Sequence, residues 1–163
     1  MAVSGENKAN ATGALATGAL EMAAPAISRK ELVERLRAEF PEGSNAGVDF
    51  EIEALWHGGC RLRQRYDRRS LRPGGTLSGA TMMALGDFAT YVAVLSAIGW
   101  VPLAVTTNLT INFLRKPPAR DLLAEARLLK LGSQLAVGEV SIHADGDDEL
   151  VAHVTSTYSI PPR

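Results

Sequence analysis

The longest apolar stretch of the sequence contains a single charged residue. It runs from about Gly79 to Ile98, and apart from Asp87 it holds only small, apolar and hydroxyl-bearing residues, with Gly99 and Pro102 following as stop signals. The pattern predicts one long helix, and a helix that is apolar nearly all round is normally buried. A buried carboxylate must be paired, hydrogen-bonded or neutralised. Asp87 is therefore either a structural group or a candidate for acid–base chemistry.

The composition favours an ordinary globular domain. The chain has 163 residues, of which 46% are hydrophobic and 21% charged, and its formal net charge of −1 indicates no particular partner. Aromatic residues make up 6% and do not alternate with the arginines, which argues against nucleic-acid binding. The apolar run approaches the length of a membrane span but carries Asp87, so we interpret it as a core helix and expect no membrane association.

The cysteine and histidine content narrows the chemistry. Cys60 is the one cysteine, so an intramolecular disulfide is excluded and a reducing compartment, the cytoplasm, is expected. The histidines, His57, His143 and His153, are scattered without metal-ligand spacing, and no metal is expected. The N-terminus lacks a basic region followed by an apolar stretch, so it does not resemble a secretory signal.

The chain divides into a tail and one domain. Residues 1–27 have low complexity and are expected to be disordered or loosely attached, whereas residues 28–163 form the domain. Ser28 with Glu31 forms a capping box for a first helix, which Pro41 ends. Its apolar stripe consists of Leu32, Val33, Leu36 and Phe40.

Six segments read as strands, two before the long helix and four after it. They span residues 48–55, 60–66, 104–114, 122–131, 134–144 and 149–160. Alternation places Phe50, Ile52 and Ala54 on one face of the first strand, and Cys60, Leu62, Gln64 and Tyr66 on one face of the second. The order predicts an α+β layer in which a sheet of about six strands covers one helix, with edge strands that favour dimerisation.

Two stretches carry a resemblance to a known family. The first is residues 78–87, Ser-Gly-Ala-Thr-Met-Met-Ala-Leu-Gly-Asp, and the second is residues 104–117 with residues 121–126 behind it. From about residue 31 to 161 the chain resembles the hotdog-fold thioesterases of the phenylacetate-degradation (PaaI-like) type. The resemblance implies an antiparallel sheet wrapped around one long helix. It also implies hydrolysis of small or medium acyl-CoA, aromatic acyl groups included, by a homodimer or dimer of dimers.

The resemblance also implies roles for individual residues. Asp87 matches the family's general base or nucleophile, and Gly79 matches the residue whose amide holds the thioester oxygen. Thr106 matches the residue whose hydroxyl positions water. The resemblance leaves open whether this threonine belongs to the same chain as Asp87 or to the other chain of a dimer. Ser78 stands where the family has His, and it can cap the helix. Arg72 replaces the family's Asn or Gln, and no cofactor besides the coenzyme A of the substrate is implied.

Basic residues near this segment are candidates for binding coenzyme A. Arginine suits phosphate groups because its guanidinium binds two oxygens at once. The basic residues predicted to bind substrate are Arg68, Arg69, Arg72, Arg115 and Lys116. Two small residues, Gly75 and Ala80, are predicted to let substrate approach the backbone. For Arg61, Arg63 and Arg65 we favour a structural interpretation, in which they pair with Glu51 and Glu53 across the strands.

Two other functions compete with hydrolysis. A hotdog protein that binds acyl-CoA without cleaving it would fit the changes at Ser78 and Arg72. A hydratase ranks lowest, since no histidine lies between Gly58 and Ile142. The His57-Gly58-Gly59 triplet imitates the family motif but precedes a strand, so we interpret it as a turn.

Overall fold

One long helix lies across a six-stranded antiparallel sheet, as predicted. The computed structural model describes residues 23–40 and 50–162. The sheet has the order β1-β2-β6-β7-β8-β5, and a small separate hairpin pairs β3 with β4. The elements are α1 (Arg29–Glu39), β1 (Phe50–Trp56), β2 (Gly59–Gln64), β3 (Leu71–Arg72), β4 (Thr76–Leu77), α2 (Gly79–Ile98), β5 (Val105–Phe113), β6 (Leu122–Leu131), β7 (Leu135–Ala144) and β8 (Leu150–Ser159).

The helix α2 has the predicted bounds and lies in the core. Ser78 caps its N-terminus by accepting a hydrogen bond from the Thr81 backbone N–H at 3.2 Å, and Gly99, with φ of 80°, follows its last residue. By length and hydropathy it could cross a membrane, but 67% of that window is buried inside the protein. It is therefore the core helix that the sequence predicts.

The helix approaches the sheet closely at Gly86. A Cβ atom placed on Gly86 would lie 2.7 Å from Cγ2 of Val154 on β8, a distance that real Cβ atoms do not adopt. Leu85 and Ala89, on either side, are fully buried. A glycine at this point lets the helix backbone settle against the sheet, which positions the next residue, Asp87, over β8 and β5.

Side chains along each strand alternate between the sheet face toward α2, called the inner face, and the outer face. Register shifts interrupt this alternation in β1, β5, β6 and β8, and those in β1 and β5 bear on the predictions. In β1 the register shifts between Ile52 and Ala54, so that Leu55, opposite Cys60, returns to the inner face. The prediction that Ala54 shares a face with Ile52 was therefore wrong. In β5 the register shifts between Thr106 and Asn108.

The first helix and the residues before it close one end of α2. Ser28 caps α1 as predicted by accepting from the Glu31 backbone N–H at 3.2 Å, and Leu32 is fully buried. Part of the predicted tail is attached: the Ala26 N–H donates to the Ser96 carbonyl at 2.7 Å, and Ile27 is buried. The rest of the tail, residues 1–22, and residues 41–49, with the predicted stop at Pro41, lie outside the described residues.

Arg61, Arg63 and Arg65 form ion pairs on the outer face. Arg65, just past β2, pairs with Glu51 at 3.1 Å and Arg63 pairs with Glu53, as predicted, whereas Arg61 pairs with Glu125 of β6 and not with Glu51 or Glu53. Arg63 contacts three carboxylates, those of Glu53 at 2.5 Å, Asp121 at 3.1 Å and Asp145 at 2.9 Å. These arginines are consequently engaged within the fold.

The close approach at Gly86 yields a stability prediction. We expect Gly86→Ala to lower the free energy of unfolding by about 1 kcal/mol, because overpacking at about 2 kcal/mol outweighs the gain in helix propensity of about 1 kcal/mol. Urea denaturation measures the change. In a Val154→Ala background the penalty should shrink, because the contacting methyl is gone. A Gly86→Ala protein more stable than wild type would contradict the packing.

The Asp121 carboxylate yields a pH prediction. A hydrogen bond from the Tyr66 backbone N–H, followed by that from Arg63, holds the pKa of Asp121 below its ordinary value of 3.8. Stability from this shift is fully present above pH 3.8 and is lost as the pH falls through the folded-state pKa. We expect Asp121→Asn to destabilise the protein at pH 7 and to flatten its loss of stability below pH 3.8.

Urea denaturation at neutral and acidic pH provides the measurement. The matched control is Asp148→Asn, which alters an exposed carboxylate in the turn before β8. That variant should follow the wild-type pH dependence. If Asp121→Asn and wild type lose stability equally on acidification, the assigned interaction of Asp121 is refuted.

Candidate active site

Two hydroxyl groups converge on the carboxylate of Asp87. The Thr106 hydroxyl donates to Asp87 Oδ1 at 2.6 Å, and the Tyr158 phenol donates to the same oxygen at 2.8 Å. The phenol oxygen also lies 3.0 Å from the backbone carbonyl oxygen of Asp87. Asp87 itself is half-buried, so its charge is hydrogen-bonded as its apolar helix requires and still reachable from one side.

The bulge in β5 places Thr106 on the correct face. Simple alternation would put Thr107, not Thr106, on the same face as Leu109. The bulge instead brings Thr106 opposite Tyr158 of β8, on the inner face, while the Thr107 hydroxyl donates to the Thr157 carbonyl at 3.1 Å. The Thr106 that reaches Asp87 therefore belongs to the same chain, whereas the sequence left the other chain of a dimer open as its source.

Tyr158 was missed by the sequence analysis. It is 3% exposed, and burial, followed by the charge of Asp87, raises the pKa of its phenol far above the usual range. The phenol thus remains protonated and acts as a hydrogen-bond donor. No local signal in the sequence marks Tyr158. Asp87 is 71 positions away from it, and Thr106 meets it only because β5 pairs with β8.

The N-terminus of α2 opens onto a separate cleft. Gly79 is the first residue of the helix, where backbone N–H groups have no partner within the helix. The cleft has a volume of about 410 Å³ and is lined by Arg72, Leu77, Gly79, Met82, Phe113, Leu114, Arg115, Lys116 and Pro117. A Cβ on Gly79 would lie 3.0 Å from Cζ of Phe113, so the aromatic ring lies against the helix end.

Ser78 connects the loop before α2 to the first turn of that helix. Its backbone N–H donates to the Ser70 carbonyl at 2.9 Å, and its hydroxyl lies 2.9 Å from the Thr81 hydroxyl. Ser78 is the N-cap that the sequence predicts, and its side chain is committed to the first turn of the helix. The loop also contains the β3–β4 hairpin.

The basic residues separate into two groups. Arg72, Arg115 and Lys116 line the cleft; Arg72 donates to the Thr76 hydroxyl at 3.0 Å, and Arg115 pairs with Asp147 at 2.8 Å and with Glu149. The remaining predicted binding positions do not line it. Arg69 pairs with Asp67 at 2.5 Å, Arg68 and Ala80 are exposed, and Gly75 lies in the β3–β4 turn with φ of 72°.

The two predicted ends of the site are far apart within one chain. Gly79 and Asp87 are eight positions apart on one helix, which corresponds to about 12 Å along its axis at 1.5 Å per residue. A base and an oxyanion donor that serve one carbonyl group must each lie about 3 Å from the reacting atoms. The structure of a single chain does not bring Gly79 and Asp87 to that distance.

The histidines contribute to neither end. His57 lies in the β1–β2 turn, as predicted for the triplet, and Gly58 there has φ of 74°. His153 bonds Glu139 at 3.1 Å on the outer face, and His143 is on β7. Within residues 23–40 and 50–162, no group of three or more His, Cys, Asp and Glu side chains is arranged to hold a metal ion.

Comparison with known proteins identifies the family. The model of the Thioesterase superfamily matches residues 74–151, which include α2, β5, β6 and β7. The protein named Putative esterase SSO1253 from Saccharolobus solfataricus is 31% identical over 136 residues, which cover 83% of this chain and 87% of that protein. The chain belongs to the thioesterase superfamily, and its fold is the hotdog fold.

Solved structures agree with this assignment. A crystal structure described as a putative thioesterase, from Silicibacter sp. TM1040, has 43% identity and a TM-score of 0.76, covering 87% of this chain and 97% of that one. A mutant of the phenylacetic acid degradation protein PaaI from Thermus thermophilus has 24% identity and a TM-score of 0.61, with coverages of 69% and 93%. A hypothetical thioesterase with coenzyme A from Streptococcus pneumoniae has 22% identity and a TM-score of 0.64, with coverages of 71% and 88%. The last two show the fold alone.

Proposed function

We propose that this protein hydrolyses acyl-CoA thioesters with Asp87 as the general base. The observation that carries the proposal is the carboxylate itself, with one oxygen held by two hydroxyl donors on the helix of a thioesterase fold. In the first step Asp87 takes a proton from water, and the resulting hydroxide attacks the thioester carbonyl. Thr106, beside Asp87, would orient that water. Neither a metal nor a redox cofactor takes part in this scheme.

The backbone N–H of Gly79 would stabilise the tetrahedral intermediate. An unpaired N–H at a helix N-terminus, together with the helix dipole, favours the negative charge that develops on the carbonyl oxygen. Collapse of the intermediate breaks the carbon–sulfur bond. The coenzyme A thiolate leaves and gains the proton, and the free acid remains.

A complete site would combine two chains. Because Gly79 and Asp87 of one chain are about 12 Å apart along α2, the carbonyl must meet Asp87 of one chain and Gly79 of a second. Strand β5 supports a second copy as the partner: it forms an edge of the sheet, and Val105 and Phe113 at its ends are 55% and 51% exposed. We take the homodimer as the functional unit, and a pair of such dimers as the assembled homotetramer.

The cleft at Gly79 is suited to the coenzyme A part of the substrate. Arg72 and Lys116 line it with positive charge, Arg115 lines it while paired with Asp147 and Glu149, and coenzyme A carries phosphate groups that arginine binds well. The Streptococcus pneumoniae thioesterase with coenzyme A has the same fold. The acyl group would be small or medium, with aromatic groups included. The buried free thiol of Cys60 fits a cytoplasmic protein.

A second candidate function is acyl-CoA binding without hydrolysis. The observation in its favour is Ser78, whose hydroxyl caps α2 and offers no imidazole to protonate the leaving thiolate. Saturable binding of acyl-CoA in calorimetry with no thiol release would support this alternative. Absence of both binding and turnover would reject both functions.

The assignment of the base makes a direct prediction. Asp87→Asn should lower kcat for acyl-CoA hydrolysis by about 100-fold or more, since general-base catalysis contributes about 10²–10⁴-fold. The melting temperature should change little, because the amide oxygen still accepts from Thr106 and Tyr158. Release of free thiol from a panel of acyl-CoAs measures turnover, with a sample lacking substrate to correct for Cys60. Asp148→Asn is the matched control; wild-type turnover by Asp87→Asn would exclude Asp87 as base.

Subunit complementation tests the two-chain site. Gly79→Pro removes the backbone N–H, and proline suits this first helical position because Ser78 before it is extended, with φ of −76° and ψ of 154°. Gly79→Pro and Asp87→Asn should each be inactive alone. Mixed after denaturation and refolding, they should regain about a quarter of wild-type activity, because half of the dimers are mixed and each has one intact site.

The control for the glycine variant is Gly79→Ala, which introduces the same Cβ against Phe113 and keeps the N–H. It should retain far more activity than Gly79→Pro. If the mixture of Gly79→Pro and Asp87→Asn stays inactive while mixed dimers form, Gly79 and Asp87 do not act on the same substrate across chains.

A further inference from the structure

We propose that Tyr158 is a positioning residue, which together with Thr106 fixes the Asp87 carboxylate so that one oxygen is held and the other faces the reacting water. The inference deepens the proposed thioesterase function and rests on it. Its basis is the geometry of the phenol, which reaches both the side chain and the backbone of Asp87, at 2.8 Å from Oδ1 and 3.0 Å from the carbonyl oxygen.

The sheet register explains why two donors meet at one oxygen. Tyr158 of β8 lies directly opposite Thr106 of β5, and residues paired in this way have Cβ atoms about 4.5–5.5 Å apart on the same face. On its other side Tyr158 faces Ala136 of β7, a small residue that leaves room for the ring. The two hydroxyls therefore approach Asp87 from neighbouring strands.

The phenol ring is held in place by its surroundings. Tyr158 is 3% exposed, and its ring stacks on Tyr91 with centroids 6.1 Å apart and planes inclined by 30°. Because the ring has little freedom, the position of its hydroxyl is set by packing and not by the bonds that it makes. A donor fixed in this way orients the carboxylate that it binds.

The hydrogen bonds make the two carboxylate oxygens unequal. Both Thr106 and Tyr158 donate to Oδ1, and no residue of the described ranges forms a hydrogen bond with Oδ2 of Asp87. Oδ2 is thus the oxygen that can accept a proton from water. Tyr158 itself does not transfer a proton, since burial and the adjacent charge keep it protonated.

Kinetics separates positioning from a merely structural role. We expect Tyr158→Phe to lower kcat by about tenfold or more with KM within about twofold, because Tyr158 contacts the base and not the substrate, and small errors in reacting geometry are costly. The matched control is Tyr91→Phe, which removes another partly buried phenol, bonded to the Pro102 carbonyl at 3.2 Å. It should lose similar stability and retain wild-type kcat.

Two results would overturn the inference. One is an unchanged kcat in Tyr158→Phe. The other is an equal fall of kcat in Tyr91→Phe at matched stability, which would show that the effect comes from packing.

Crystal structures of wild type and both variants supply a test that needs no turnover. In Tyr158→Phe the Asp87 side chain should leave its single rotamer, and an unchanged rotamer would reject positioning. Wild-type protein without turnover on any acyl-CoA would instead remove the proposed function, and the crystal structures would still decide the role of Tyr158.

Discussion

Burial of α2 against the inner face of the sheet is the interaction on which the rest of the structure depends. The helix has no polar face of its own, so it is stable only when strands cover it. Its fully buried residues, among them Leu85, Ala89 and Val92, supply most of the apolar contact. The same contact sets the position of Asp87, because a close approach to β8 occurs one residue earlier, at Gly86. The packing that stabilises the fold therefore also orients the candidate base.

A charged residue in such a helix requires compensation, and the sheet supplies it. Thr106 and Tyr158 donate hydrogen bonds to Asp87 from two adjacent strands. Hydrogen bonds to a charged group contribute about 1.5–3 kcal/mol each, enough to offset much of the cost of partial burial. The compensation depends on one irregularity, the bulge at Thr107, without which β5 would turn the Thr106 hydroxyl away from the helix. A bulge beside a site commonly redirects a side chain in this manner.

The N-terminus and the middle of α2 carry different parts of the proposed chemistry. The N-terminal end offers free backbone N–H groups and a cleft lined by basic side chains, whereas the middle offers the carboxylate. A rigid helix cannot bring these parts together, since each residue adds about 1.5 Å of rise. The proposed dimer would resolve this separation, and it would give the exposed edge of β5 a partner. The cap at Ser78 stabilises the end where substrate would bind, but it does not replace an acid for the leaving group.

Local patterns in the sequence determined the bounds of α2, the caps at Ser28 and Ser78, and the strand segments after the helix. Hydrophobic periodicity and turn residues act over a few positions, so they can be read without the fold. The ion pairs of Arg63 and Arg65 with Glu53 and Glu51 followed from the same alternation. Asp87 was apparent because a lone charge stands out in an apolar helix, and the roles of Gly79 and Thr106 followed from family resemblance.

Only the tertiary structure decided which side chains meet Asp87. Bulges shift register by one residue at Thr107 and in β1, and nothing in the local alternation announces them. Tyr158 meets Asp87 across 71 positions of sequence, through a pairing of β8 with β5 that depends on the whole sheet. The division of the basic residues between the cleft and the outside has the same origin. Contacts of this kind arise from strand order and packing, which are properties of the assembled chain and not of any segment within it.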